Sequence, residues 1–183
     1  EGGVIAGMFV IDKEYDVCPI GKPQFDMKYR VSDKYECAGG QASTAACVCG
    51  KGGLKTYMMS RIGEDASGNA ILNSFKRMGV DTSCMSILKD YTTSASFIIN
   101  HQDCGKRTIL NYQDPVEDID FTLPEDVDFI LLDAHEEKIG MAAFEKFKNA
   151  SSMLDAERAN ELTLKYAKRV DYIVGSERTD KIR

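Results

Sequence analysis

The stretch Cys37-Ala38-Gly39-Gly40-Gln41-Ala42-Ser43-Thr44-Ala45-Ala46-Cys47-Val48-Cys49 organises the chain. Two adjacent glycines precede a run of small residues with a helix-compatible apolar pattern. Glycine lets the backbone turn sharply and lets a ligand come close to the main chain. The residues that follow open a helix, whose first amides are unpaired donors facing whatever sits at its mouth. Ala42, Ser43, Ala45 and Ala46 are small enough for that helix to press tightly on a sheet. Alone, the stretch reads either as a turn feeding a packed core helix or as one wall of a ligand site. The rest of the chain decides between them.

Towards the N-terminus, residues 4–11 form an unbroken apolar run, which reads as one buried strand ending at Asp12. A carboxylate just past the carboxyl end of a buried strand lies where open α/β sheets bind ligands. Taken singly, Asp12 also fits a solvated turn. Residues 13–38 alternate charged residues with Tyr15, Val17, Phe25, Met27, Tyr29, Val31 and Tyr35, broken by Pro19, Gly21 and Pro23. This pattern predicts short, half-exposed strands in a flap standing off the main sheet.

Towards the C-terminus, the helix closes at Gly50-Lys51-Gly52-Gly53. Residues 55–62 read as a strand and residues 63–68 as a loop. A helix follows with Ile71, Leu72, Phe75 and Met78 on one face, stopped by Gly79. Val80-Asp81-Thr82 leads to a strand near 85–88. Residues 94–100 and 107–112 read as a hairpin around a polar turn. From residue 127 the order is strand (127–133), helix (140–149), strand (152–155), helix (157–169), strand (171–175). That alternation predicts right-handed crossovers and a parallel sheet.

With 183 residues, the chain can bury one sizeable core. Its net charge of −6, with both signs mixed along the chain, argues against a broad nucleic-acid or anionic-membrane surface. No apolar run reaches membrane-spanning length, and the first residues lack the basic flank of a signal peptide. The expectation is a cytoplasmic protein whose six cysteines are reduced thiols. Cys47 and Cys49 would point about 200° apart on a helix, so they do not share a metal. His101 and His135 are isolated and read as surface or structural residues, and no metal site is expected. Neither Gly-x-Gly-x-x-G nor Gly-x-x-x-x-Gly-Lys-Ser/Thr occurs, which weakens any other α/β nucleotide-binder reading.

Several stretches, in order, resemble the ribokinase-like, or PfkB, family of carbohydrate kinases. They are Gly7-x-x-x-x-Asp12, Gly39-Gly40-Gln41-Ala42-Ser43-Thr44-Ala45, Ile62-Gly63-Glu64-Asp65-Ala66-Ser67-Gly68, Met78-Gly79-Val80-Asp81-Thr82, and Thr92-Thr93-Ser94 with Gly105-Lys106-Arg107-Thr108-Ile109. Gly-Gly-x-Ala-Ser and Gly-x-Arg-Thr-Ile-Leu look like the ketohexokinase-like members. The resemblance implies one partial α/β domain over residues 1–183, the N-terminal, lid-bearing portion of a three-layer α/β/α sandwich with a small β-lid from about 13–38 and 94–112, its catalytic base and ATP site expected in a C-terminal part missing from these residues. It implies transfer of the γ-phosphate of ATP to a sugar hydroxyl of a ketohexose or related sugar, with Mg2+. By the same resemblance, Asp12 accepts from sugar hydroxyls and Gly39 and Gly40 hinge the lid. Gln41 and Thr44 contact the sugar, and Arg107 sits near the transferred phosphate, where its fork suits anionic oxygens. Some relatives also form a homodimer through the lid.

Three departures stand out. Thr44 occupies a position where the family often has Asn, with one hydroxyl in place of an amide. The family's Asn-x-x-Glu falls at Ser176-Glu177-Arg178-Thr179 and is not preserved. The Gly-Ala-Gly-Asp signature, which carries the family's general base and anion hole, does not occur. Phosphoryl transfer is mostly positioning and charge stabilisation, so these residues alone are expected to bind sugar without turning it over. The alternative is a non-catalytic, truncated paralogue that binds sugar or associates through its lid.

Overall fold

A computed structural model describes residues 3–6, 10–17, 26, 28, 31–101, 105–115, 119–157 and 159–176. In chain order the elements are β1 (Gly3–Ala6), β2 (Val10–Val17), β3 (Val31–Gly39), α1 (Gln41–Lys51), β4 (Thr56–Met59), β5 (Arg61–Gly63), α2 (Ala66–Arg77), β6 (Val80–Asp81) and β7 (Ser86–Leu88). They continue with β8 (Ala95–His101), β9 (Lys106–Tyr112), β10 (Phe129–Leu132), α3 (Glu137–Lys146), β11 (Ser151–Ala156), α4 (Glu161–Ala167) and β12 (Tyr172–Gly175).

Six strands pair in the order β12-β11-β10-β1-β4-β6, all parallel. The chain leaves β1 towards β4 and β6 on one side, and β10 towards β11 and β12 on the other. Right-handed crossovers running in opposite directions put their helices on opposite faces. The two cores bear this out. Ala42 and Ala46 of α1 and Ile71 and Phe75 of α2 pack with Met58 on one face. Ile139 and Ala143 of α3 and Tyr166 of α4 pack with Ile130, Leu132 and Leu154 on the other. The result is the three-layer sandwich expected from the resemblance.

A second sheet, ordered β3-β2-β8-β9, shares no strand with the first. In it β2 runs antiparallel to β3 and parallel to β8, and β8 and β9 form the expected hairpin. This is the small stand-off lid. Its joint to the body is built around Asp65, the N-cap of α2. Asp65 Oδ1 accepts from the Gly68 amide at 2.7 Å and from Thr93 Oγ1 at 2.7 Å, while Oδ2 accepts from the Thr93 amide at 2.9 Å. Thr93 Oγ1 in turn accepts from the Gly63 amide at 2.9 Å. Side chains are excluded here, because a Cβ on Gly63 would lie 2.1 Å from the Tyr91 carbonyl oxygen and one on Gly68 would lie 2.2 Å from that of Gly63.

Four expectations need correction. The apolar run 4–11 is two strands, since β1 stays in the main sheet while β2 begins the lid. Asp12 therefore sits inside a lid strand and does not end the first strand. The run 55–62 also divides, at Ser60, because β5 leaves β4 to pair in parallel with β7. Val80-Asp81 is a short parallel strand rather than a connection. The last helix is confined to Glu161–Ala167, capped by Asn160, whose side chain accepts from the Thr163 amide at 2.8 Å. Cys37, Cys47, Cys49 and Cys84 are free thiols, as expected, while Cys18, Cys104 and the turn 102–104 lie outside the described residues.

Candidate functional site at the sheet's switch point

The strand order reverses between β1 and β10, and open α/β sheets bind ligands in the crevice outside the carboxyl ends at such a point. Chemistry-bearing residues gather there. Asp133 follows β10 directly and is buried, at 3% exposure. His135 Nδ1 lies 3.2 Å from Asp133 Oδ1. Burial opposes protonation of that imidazole, but the hydrogen bond to Asp133 and the charges of Asp133, Glu157 and Glu136 outweigh it and lift its pKa. Between the two residues, Ala134 takes φ 59°. A non-glycine residue in the left-handed region stores strain that persists where the surroundings fix it, and such positions cluster at functional sites.

Asp155, near the end of the neighbouring strand β11, accepts a 3.3 Å hydrogen bond from Gln41 Nε2. Burial pushes its carboxyl pKa up, and Asp133 and Glu157 add to the rise. Gln41 is the first residue of α1. Gly40, before it, has φ 96° and ψ 140°, a conformation that calls for glycine. No side chain caps α1 and no acid occupies its first turn, so its mouth is left to a ligand or solvent. The Ser43 hydroxyl donates to the carbonyls of Gly39 and Gly40. The Thr44 hydroxyl donates to the Gly40 carbonyl at 2.8 Å, so its proton is committed to the helix and its lone pairs remain for a partner.

The lid register brings Asp12 near the glycine bend. Val10 stands opposite Gly39, and Asp12 stands opposite Cys37 on one side and Ser96 on the other. Arg107 is exposed and pairs with Asn100. It lies four register rows from the Asp12 row, about 13 Å along the strands. The backbone thus groups Asp12, Gly39, Gly40, Gln41 and Thr44 at the foot of the lid, with Arg107 further out. The side chain of Asp12, Gly7 and residues 177–179 lie outside the described residues. Sequence reasoning had not singled out Asp133 or Asp155. The available signal was an aspartate closing each of two apolar strand runs, Phe129–Asp133 and Ser152–Asp155.

Comparison with known proteins agrees with this architecture. The chain is 30% identical over 129 residues to a 5-dehydro-2-deoxygluconokinase of Bacillus licheniformis, a match covering 63% of this chain and 38% of that protein. A ribokinase candidate from Agrobacterium tumefaciens superposes with a TM-score of 0.83 at 23% identity, covering 97% of this chain and 60% of its own. The ribokinase of Thermotoga maritima gives 0.78 at 18% identity, covering 96% and 59%. The Arabidopsis thaliana ribokinase, solved with ribose and ATP, gives 0.72 at 17%, covering 95% and 59%. The chain therefore spans about 60% of the length of these structures. The family model for pfkB family carbohydrate kinases matches residues 11–177, and the chain belongs to that family.

Proposed function

We propose that this chain supplies the sugar-binding side of an ATP-dependent carbohydrate kinase acting on a ketohexose or related sugar. The observation that carries the reading is the grouping at the switch point: an uncapped helix mouth behind Gly40, the buried Asp133, and a lid strand that sets Asp12 beside the glycine bend. Asp12 and Asp133 accept from sugar hydroxyls, the Gln41 amide and Thr44 lone pairs complete the set, and the lid excludes water. The family match and relatives solved with ATP or ADP support ATP as the donor. ATP supplies the phosphoryl group. The residues named here bind and orient the sugar hydroxyl that receives it, and Arg107 stabilises charge on the moving phosphate. None of them is assigned as the general base.

Among the described residues, no group of three or more His, Cys, Asp and Glu side chains could hold a metal ion. Magnesium, where the reaction uses it, would be held through the phosphates of the nucleotide. Also among the described residues, no helix is long and apolar enough to cross a membrane. Phe97 and Leu110 face each other across β8 and β9 and are exposed, with Tyr112 beside them. This supports a homodimer through the lid, which sedimentation would detect as a concentration-dependent mass.

Calorimetric titration with ribose, fructose and 5-dehydro-2-deoxygluconate, paired with sugar-dependent ATP consumption, tests the reading. Asp12→Ala or Asp133→Asn should each weaken sugar binding by about 1–3 kcal/mol, the effect of stranding a buried polar partner. Undiminished affinity in both variants would remove the switch point from the sugar site.

A further inference from the structure

Two buried atoms without a hydrogen-bond partner among the described residues belong to one ion pair: Arg61 Nε and Glu136 Oε1. The pair is a single contact, Arg61 Nη1 to Glu136 Oε2 at 3.3 Å, longer than an ordinary N–H···O bond. A guanidinium and a carboxylate fit each other best through two parallel bonds, and the edge carrying Nε offers such a fork. Here the contact is single, and each partner keeps one buried polar atom unpaired. Native proteins pair nearly all such atoms, so a donor and an acceptor left over on the two halves of one ion pair call for a cause. They pair with each other if Arg61 turns its Nε edge towards the carboxylate. A turn within the guanidinium plane keeps its face on the Tyr91 ring, over which it lies at 5.8 Å.

The two residues belong to different parts of the molecule. Arg61 opens β5, and Gly63 at the other end of that strand donates its amide to Thr93 Oγ1 in the lid joint at 2.9 Å. Tyr91 is buried in the same joint, and its hydroxyl shares a hydrogen bond of 2.8 Å with Ser94 Oγ, one residue before β8 of the lid. Glu136 stands at the N-cap of α3, where its carbonyl accepts from the Tyr166 hydroxyl at 2.7 Å. It follows Asp133, the strained Ala134 at φ 59°, and His135, whose Nδ1 lies 3.2 Å from Asp133 Oδ1. The ion pair therefore joins the base of the lid to the loop that carries Asp133.

We propose that Arg61 is a positioning residue for the sugar cleft: when the lid closes, its guanidinium turns its Nε edge onto Glu136, both unpaired atoms find each other, and the lid joint is fixed to the Asp133 loop. The inference rests on the sugar-kinase reading of the switch point and deepens it. β2 of the lid carries Asp12 and the loop carries Asp133, so a sugar held by both favours the closed arrangement, and the completed pair adds to that preference. The cavity of about 470 Å3 that Arg61 and Glu136 line with Lys138 and Met141 is the space in which the side chains turn. The pair needs an ionised Glu136. Burial lifts that pKa to about 7, Asp133 adds to the rise, and Arg61 and His135 oppose it, so the pair is best followed near pH 8.

Nε–H resonances of 15N-labelled protein report the pairing directly, and the Arg61 resonance is assigned by its loss in Arg61→Lys. On saturation with ribose, fructose or 5-dehydro-2-deoxygluconate, with binding established by calorimetry, this resonance should move downfield and exchange more slowly with water. Amides of β8 and β9 should gain protection in the same samples. Arg61→Met should weaken binding about tenfold and, at saturating sugar, leave those amides as open as in the free protein. Arg61→Lys keeps a charge on Glu136 and should restore part of the affinity. Tyr91→Leu leaves the ion pair in place, and should also separate lid protection from binding if Arg61→Met does not fold. An Arg61 Nε–H unmoved by bound sugar, or full lid protection in the saturated Arg61→Met or Tyr91→Leu protein, overturns this role and leaves the sugar site standing. A wild-type protein that binds none of the three sugars overturns the site and this role together.

Discussion

Replacing Asp65 with alanine should loosen the joint between lid and body. Two separate losses set the size. The N-cap bond to the Gly68 amide is worth about 1 kcal/mol. Thr93 is 2% exposed, so its amide has no water to replace Asp65 Oδ2, and stranding it costs about 1–3 kcal/mol. The sum is about 2–4 kcal/mol. With a urea slope of about 2 kcal/mol per molar, the unfolding midpoint should fall by about 1–2 M. The pH dependence has a definite sign. Burial opposes ionisation of Asp65, but hydrogen bonds from Gly68, Thr93 and Ser67 outweigh it and hold its pKa below the ordinary carboxylate value. The wild-type advantage is therefore full above the unfolded carboxylate value of about 3.9 and is lost as pH falls through the lower folded value. Because Thr93 leads into β8, amide exchange should quicken first in β8 and β9. A cycle with Thr93→Val should show coupling above about 0.5 kcal/mol. A midpoint within about 0.3 M of wild type, with additive effects in the double variant, would refute the reasoning.

Gly140→Ala puts a Cβ 2.1 Å from the hydroxyl oxygen of the fully buried Tyr166, and overpacking of this kind costs about 1–3 kcal/mol, read as a fall in Tm of a few degrees. Adding Tyr166→Phe should restore only part of it, because Cζ still lies at 2.5 Å. Glu136 carries a pKa raised from 4.5 to about 7, mainly by burial, so its folded state holds a proton that the unfolded state releases. Wild type should therefore lose stability relative to Glu136→Gln, by on the order of 2–3 kcal/mol, as pH rises from 4.5 to about 7 in parallel urea titrations. Arg107→Ala should lower kcat more than it raises KM in a kinase assay, and the opposite split would place Arg107 on the sugar rather than the phosphate.

Much of the fold lies open in the local pattern. Gly39-Gly40 followed by small residues marks the opening of α1, and Gly50 to Gly53 marks its end. The alternation after residue 127 indicates the parallel β10-β11-β12 half. These features are legible because periodicity and glycine geometry act over a few residues. The same logic hides the divided runs. Val4 to Ala6 and Val10 to Ile11 are equally apolar, so hydropathy cannot show where the chain leaves one sheet for another. That choice depends on β10 and β4 flanking β1, and on β8 and β3 flanking β2.

The candidate site shows the same split. The motif around Gly39 to Thr44, and the likeness it carries, are properties of neighbouring residues. The hydrogen bond from Gln41 to Asp155 across 114 positions is not, nor is the pairing of Arg61 with Glu136 across 75 positions. The raised Glu136 pKa arises from burial by residues distant along the chain. Sequence alone determined the local conformations and the family. Tertiary structure decided which sheet holds Asp12 and which polar groups meet at the switch point, because strand partnership and desolvation are set by contacts between residues far apart in the chain.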